Sequence, residues 1–229
     1  MIKAIFFDLY ETLITEWKEE KKKAVYSTRE LGLDPKIFKQ EWDSRRFLRM
    51  DGTFPDHQSV LRDILSAHGK RADHDAIEKV HQERVRVKAV PFCEMHPEVM
   101  DLLKRLKAMD IKIGLISNCA PEEVQAWKSC ELPAYFDTVI FSYEVKYAKP
   151  SPQIYHLACE KLGVSPQESI FIGDGGSDEL NGAQDAGMQA YHATWFLPEK
   201  ISEKITGFPK LSNPLALLLE DSLMFVDVQ

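Results

Sequence analysis

Four short stretches of the 229-residue chain carry side chains that could do chemistry together. Asp8 follows the apolar run Ile5-Phe6-Phe7. A carboxylate at the end of such a run is costly to bury unless something pairs with it, and a carboxylate held in place can attack a substrate to form a covalent ester or acyl phosphate. Asp174 and Asp178 lie four residues apart on a glycine-containing turn, close enough for both carboxylates to approach one point. Three acids gathered in one crevice repel each other, and a hard divalent ion with oxygen ligands, Mg2+, resolves the conflict. Lys149, just before Pro150, offers fixed positive charge toward a nucleophile and a transferring phosphoryl group. Ser117 and Asn118 offer hydroxyl, amide and backbone donors to the same anion, and the Thr12 hydroxyl is placed to orient Asp8.

The elements that must gather these groups are visible as an alternation. Short apolar strands are expected at 2–7, 111–117, 138–142, 169–173 and 188–193. Between them run helical patterns. The first, over 97–109, puts Val99, Leu102, Leu103, Leu106 and Met109 on one face. Pro121 opens another, with Glu122 and Glu123 in its first turn; a third starts at Ser151-Pro152 and ends near Gly163, and a fourth over 177–186 stops at Gly187. Glu179 and Asp185 read as solvated residues of that last helix. Strands alternating with helices predict an α/β fold, a doubly wound (Rossmann-like) parallel sheet covered on both faces. In such sheets ligands bind beyond the carboxyl ends of the strands. Asp8, Ser117-Asn118 and Gly173-Asp174 each end a strand, so all would face one crevice with Lys149.

Residues 15–90 read differently. Trp17, Ala24, Val25, Thr28 and Leu31 recur at helical spacing, as do Val60, Leu61, Ile64 and Leu65, and Ile77, Val80 and Val87. Lys21–Lys23 after Glu19 and Glu20 reads as the solvated face of a helix. No strand is expected there. The chain therefore divides into a core of residues 1–14 and 91–229 and an inserted helical domain of residues 15–90.

Taken in order, these pieces resemble the four motifs of the haloacid dehalogenase-like hydrolase superfamily. The stretches are Asp8-Leu9-Tyr10-Glu11-Thr12-Leu13, Leu115-Ile116-Ser117-Asn118, Tyr147-Ala148-Lys149-Pro150 and Ile172-Gly173-Asp174-Gly175-Gly176-Ser177-Asp178. Each alone is common; together, ordered and at strand ends, they are specific, and they span nearly the whole chain. The resemblance implies Asp8 as nucleophile and a helical cap over the site. It also implies Mg2+ held by Asp8, Asp174, Asp178 and the backbone carbonyl of Tyr10.

Two positions depart from the usual Asp-x-Asp-Gly-Thr. Tyr10 stands where phosphatase members carry a second Asp as general acid and base, and Glu11 stands where they carry Gly. A phenol with an ordinary pKa near 10 is a poor proton donor and a poorer base at neutral pH. A Tyr here is also a mark of the 2-haloacid dehalogenase branch, in which halide leaves unprotonated and no metal is used. That branch carries a cap arginine for the substrate carboxylate; Arg45, Arg46 and Arg49 lie on an expected cap helix and read as salt-bridged surface residues. Against that branch, Gly173-Asp174 with Asp178 is the metal-binding form. The expectation is thus a Mg2+-dependent phosphatase of a small phosphorylated metabolite. The alternatives are a haloacid dehalogenase-type hydrolase, or a scaffold that binds a phospho-ligand or protein without turnover.

Composition narrows the partners. Net charge is −7 and the basic residues are scattered, which excludes the clustered Lys and Arg that a nucleic-acid backbone requires. No apolar stretch approaches a membrane span. Four cysteines lie far apart with no Cys-x-x-Cys spacing, which points to structural thiols in a reducing cytoplasm. The expected partner is a small molecule, and the chain would work as a monomer or homodimer.

Overall fold

The structure, a computed structural model, describes residues 1–71 and 73–220. Six strands form the main sheet: β1 (Ala4–Phe7), then β4 (Lys112–Ser117), β5 (Thr138–Phe141), β6 (Ser169–Gly173), β7 (Gln189–Ala193) and β8 (Lys210–Leu211). A separate small hairpin supplies β2 (Trp17–Lys18) and β3 (Lys21–Lys22). The main sheet runs β5-β4-β1-β6-β7-β8, with every neighbouring pair parallel. From β1 the chain winds outward through β4 and β5, then returns to the other side of β1 through β6. The strand order therefore reverses at β1, the position where doubly wound sheets open a crevice. β8 is a strand the sequence pattern did not announce, because two residues carry no periodicity.

The strands are apolar on both faces because both are covered. On β1 the alternation is simple: Ile5 and Phe7 join one buried cluster, Ala4 and Phe6 the other. The first cluster packs under α5 (Pro97–Ala108) through Val99, Leu102, Leu103 and Leu106. After β5 comes the single turn α6 (Ser142–Val145), and the second cluster packs under α7 (Pro152–Leu162) and α8 (Glu179–Asp185) through Ile154, Ala158, Leu180 and Ala183. Pro152 starts α7, and Gly163 at φ 66° stops it in the left-handed conformation that glycine adopts without a Cβ penalty.

Between β1 and β4 lie α1 (Pro35–Ser44), α2 (Arg46–Met50), α3 (His57–Ala67) and α4 (His74–Ala89). They carry their own buried cluster, including Leu31, Phe38, Leu61, Ile64 and Ile77. Asp34 and Asp56 cap α1 and α3 by accepting backbone N–H bonds from Lys36 and Ser59 at 2.8 and 2.7 Å. Three expectations fail in this region and just beyond it. The stretch 17–31 is not one helix: residues 17–22 fold as the β2–β3 hairpin, where Glu19 and Glu20 take left-handed φ of 48° and 61°, a turn geometry that glycine or asparagine usually signals, and only Arg29–Leu31 forms a 3-10 turn. Lys21–Lys23 accordingly lie on and after a strand. Finally, Pro121 opens three short 3-10 turns, Pro121–Glu123, Gln125–Ser129 and Leu132–Tyr135, rather than one α-helix. None of the helices formed by the described residues is long and apolar enough to cross a membrane.

Candidate active site

Asp8 sits one residue beyond β1, its N–H bonded to the Ile172 carbonyl on β6 at 2.8 Å. Its carboxylate is buried and accepts from Lys149 Nζ at 2.5 Å. Lys149 is itself fully buried, and its ammonium also bonds the Glu179 carboxylate. Asn118, just past β4, fixes the lysine from behind. It accepts from the Lys149 N–H at 2.8 Å and donates to the Lys149 carbonyl at 2.8 Å. One amide hydrogen and the amide oxygen of Asn118 are thus committed to Lys149, and the residue also lines the cavity. Ser117, by contrast, ends β4 with a buried hydroxyl that has no nitrogen or oxygen partner; the Cys119 thiol lies beside it, and Ser117 lines the cavity.

Asp174 follows β6, and its Oδ1 accepts from the Gly176 N–H at 2.9 Å. The acid that joins it is not Asp178. Asp178 is exposed and its Oδ1 accepts from the Asn181 amide at 2.6 Å, outside the cluster. Ser177 and Asp178 both take φ of 55°, and this left-handed kink swings the next residue, Glu179, into the crevice. Glu179 is buried, bonds Lys149, and accepts from the Gly175 N–H at 3.0 Å. Its carboxyl fills the space beside Gly173 where any Cβ would overlap it, so the glycine ending β6 is needed for this packing. Glu179 was expected to be solvated, and the helix pattern alone could not show otherwise. Asp185 is exposed as expected.

Oxygen atoms of Asp8, Asp174 and Glu179 lie within 4.8 Å of one another. Three carboxylates around the single Lys149 ammonium leave an excess of two negative charges if all are ionised. Burial accordingly pushes the Asp8 and Glu179 carboxyls up, with the neighbouring acids adding to it and Lys149 pulling the other way. Burial also disfavours the Lys149 ammonium, but Asp8 and Glu179 outweigh it and hold that group protonated. An all-oxygen donor set with surplus negative charge fits a hard cation such as Mg2+.

Two first-motif residues stand apart from this cluster. The Tyr10 hydroxyl donates to the Glu123 carbonyl at 2.6 Å, and its ring meets Phe92 edge-on at 6.3 Å. Burial raises its pKa well above the ordinary phenol value, with Glu123 and Glu16 adding to the effect, so the side chain is no proton carrier. The Thr12 hydroxyl is buried without a partner, and the expected bond to Asp8 is not formed. Glu11 takes φ 58°, the conformation for which glycine is the relaxed choice. Its carboxylate pins the turn, accepting from the Thr15 hydroxyl at 2.5 Å and the Glu16 N–H at 3.0 Å.

A cavity of about 250 Å3 opens over Asp8, near the lower end of small-molecule sites. Its far wall comes from the inserted segment: Glu16, Trp17, Arg46, Met50 and Lys88. Behind that wall Arg84 is buried, pairing with Glu122 and Glu123 at 2.7 Å each. Those two glutamates were expected to face a helix dipole, yet both are buried and tie α4 to the turn after β4. The three cap arginines also differ. Arg45 pairs with Glu41 and Asp63 as a surface residue should. Arg49 is buried over the Trp42 ring at 3.8 Å. Arg46 reaches the cavity and donates to the Ser177 hydroxyl at 3.0 Å.

The profile of the haloacid dehalogenase-like hydrolases matches residues 2–187. Among curated relatives, a glyceraldehyde 3-phosphate phosphatase of Methanopyrus kandleri is 27% identical over 196 residues, covering 82% of each chain. An N-acylneuraminate-9-phosphatase of Rattus norvegicus is 22% identical over 237 residues, covering 97% of this chain and 91% of that one. Among solved structures, a 2-haloacid dehalogenase from Pseudomonas syringae pv. Tomato shares the fold with a TM-score of 0.67. That match has 22% identity and covers 98% of this chain and 99% of that chain.

Proposed function

The chain belongs to the haloacid dehalogenase-like hydrolase family, and from that premise we propose that it is a Mg2+-dependent phosphatase of a small phosphorylated metabolite. The observation that carries this reading is the convergence of Asp8, Asp174 and Glu179 within 4.8 Å around Lys149. Such surplus negative charge would repel an anionic substrate unless a divalent cation offsets it. Phosphatases among the curated relatives support the same substrate class. We place the cation on Asp8, Asp174 and Glu179, with the Tyr10 carbonyl as a further oxygen, and give Asp178 no part in it. When bound, Mg2+ neutralises the acids and the incoming phosphoryl group, the Lewis-acid contribution such sites make.

The protein's own groups then divide the work. Asp8 attacks phosphorus and breaks its bond to the ester oxygen, which leaves as the alkoxide and takes its proton from water; a second water then hydrolyses the aspartyl phosphate to inorganic phosphate and restores Asp8. Lys149, locked by Asn118, sets charge against the nucleophile and the transferring group. Ser117, whose hydroxyl has no nitrogen or oxygen partner, donates it to a phosphoryl oxygen. Residues 15–90 act as the cap, closing the cavity with Trp17, Arg46 and Met50 and excluding macromolecules. Four free cysteines fit a reducing cytoplasm.

Release of inorganic phosphate from an aryl phosphate, dependent on MgCl2 and abolished by Asp8→Asn, tests the reading. An aryl leaving group is chosen because it departs without a proton, which Tyr10 cannot supply. Tyr10→Asp would then raise turnover of an alkyl phosphate, by on the order of 100-fold where proton transfer limits the rate. A second reading, dehalogenation, draws on Tyr10 itself, since a halide also leaves unprotonated. Chloride release from 2-chloropropionate without metal would replace the first reading with this one.

A further inference from the structure

The hairpin that stands where a helix was expected gathers a row of basic residues that the catalytic reading leaves unused. Lys18, Lys21, Lys22 and Lys23 all line a second cavity, of about 430 Å3, within the range of small-molecule sites. It shares no lining residue with the cavity over Asp8. Its other wall is the segment that follows α4, through Val90 and Cys93. Only two carboxylates, Glu19 and Glu94, line it with the four ammoniums, which leaves an excess of two positive charges.

The pairing of those lysines is thin. Lys23 meets Glu94 only at 3.9 Å, and Glu94 is largely exposed. Lys22 pairs at 3.3 Å with Glu16, a carboxylate that Lys88 also holds at 2.8 Å. Lys18 and Lys21 are exposed and have no ion pair among the described residues. They are also direct cross-strand partners between β2 and β3. Like charges placed opposite each other destabilise an antiparallel pair, and this hairpin has only one other pair, Trp17 with Lys22, to absorb the cost.

An anion seated between Lys18 and Lys21 removes that repulsion. Lys22 and Lys23 continue the row, so an anion that extends along it meets all four. An ammonium on a flexible stem recognises phosphate as a point charge, without the planar fork by which a guanidinium selects a carboxylate. We propose that this hairpin cavity binds a small oligophosphate, free or as the phosphate chain of a nucleotide, at a site separate from the catalytic crevice. Binding is read without turnover, so loss of the phosphatase reading leaves the site standing.

Stripping divalent cations keeps the two sites apart in the test, because the surplus acids around Asp8 then repel a polyanion. Titration calorimetry of the metal-free full chain with sodium tripolyphosphate should give one site whose Kd rises with NaCl. Orthophosphate should bind more weakly by on the order of 10-fold or more. The ratio of the adenosine triphosphate and tripolyphosphate Kd values tells a nucleotide from a free chain, and either supports the site. Lys18→Ala with Lys21→Ala should weaken tripolyphosphate by on the order of 10-fold or more. That double variant should melt no lower than the wild type, since it removes a repulsion. Arg46→Ala, which deletes a cation of the catalytic cavity, should leave the Kd unchanged. No binding of tripolyphosphate, an unchanged Kd in the double variant, or a Kd weakened by Arg46→Ala overturns the inference. Orthophosphate bound as tightly as tripolyphosphate overturns the requirement for a chain. Co-sedimentation with vesicles of equal parts phosphatidylserine and phosphatidylcholine, without tripolyphosphate binding, overturns it in favour of a membrane surface.

Discussion

Two clusters of buried charge lie on either side of the same cavity, and they are built to opposite ends. Around Arg84, three cations (Arg49, Arg84, Lys88) face three carboxylates (Glu16, Glu122, Glu123), and the charge is balanced. Burial works against the Arg84 charge, but Tyr26, Glu123 and Glu122 outweigh it and keep the group protonated. Around Lys149, one cation faces three carboxylates. A balanced buried cluster is finished; its worth is in holding α4 against the core. An unbalanced one is strained by its own charge and is completed only by what binds there. Excess charge, rather than burial alone, separates the site from the scaffold.

Removing the cation from each cluster should therefore break different things. Lys149→Met should cost activity by a factor on the order of 1,000 or more, as loss of a group that stabilises a transition state does. Arg84→Met leaves Glu122 buried without its partner and Glu123 with Lys88 alone, and should cost stability, about 3–5 kcal/mol. Urea melts and phosphate-release rates on both variants give the crossed pattern. If Arg84→Met keeps full stability, or Lys149→Met keeps activity, the division of labour is wrong.

The clusters should also titrate in opposite senses. Burial raises the Asp8 and Glu179 carboxyls, so the metal-free folded chain retains protons that the unfolded chain, titrating near pH 4, has released. Stability from that cluster is present below about pH 4 and is lost as pH rises through the raised values. Glu123 is the reverse: burial opposes its charge, but Lys88 and Arg84 prevail and lower its pKa. Its contribution is present above about pH 4 and is lost as pH falls further. In chelator, denaturant melts across pH should show Glu179→Gln flattening the loss toward neutral pH and Glu123→Gln flattening the loss toward acid. The same flattening from both variants would dissolve the contrast.

This contrast was only half legible in the sequence. The five longer strands of the sheet announced themselves as apolar runs, and Asp8, Asp174 and Lys149 followed from standing at or near strand ends. Glu179 did not, because its entry into the site depends on the left-handed kink at Ser177 and Asp178, which those residue types rarely signal. The usable clue was Gly173, a strand glycine beside an acid-bearing turn. The Arg84 cluster was invisible for a different reason: its members lie 38 and 39 residues apart in the chain. The hairpin at 17–22 was misread because a Glu-Glu-Lys-Lys-Lys run has helical composition, and only the backbone shows both glutamates in the turn.

A cation should report which acids belong to the unbalanced cluster. Saturating MgCl2 should stabilise the folded protein by about 2.7 kcal/mol at 100 times its Kd. Glu179→Gln should remove most of that gain, and Asp178→Asn should leave it intact because Asp178 is bonded to Asn181 away from the cluster. Differential scanning calorimetry with and without MgCl2 distinguishes the two. Loss of the gain in Asp178→Asn alone would return the metal site to the spacing read from sequence.

The smallest effect falls on the residue that joins the two clusters. Tyr10 follows the nucleophile by two positions, yet its hydroxyl bonds the Glu123 carbonyl and its ring lies under Lys88 at 4.7 Å. It is thus a member of the balanced side, placed in the sequence of the unbalanced one. Tyr10→Phe keeps the ring against Phe92 and deletes one hydrogen bond, so it should cost about 1 kcal/mol of stability and leave phosphate release from an aryl phosphate unchanged. A fall in kcat without a fall in stability would move Tyr10 across the cavity, from the scaffold into the chemistry.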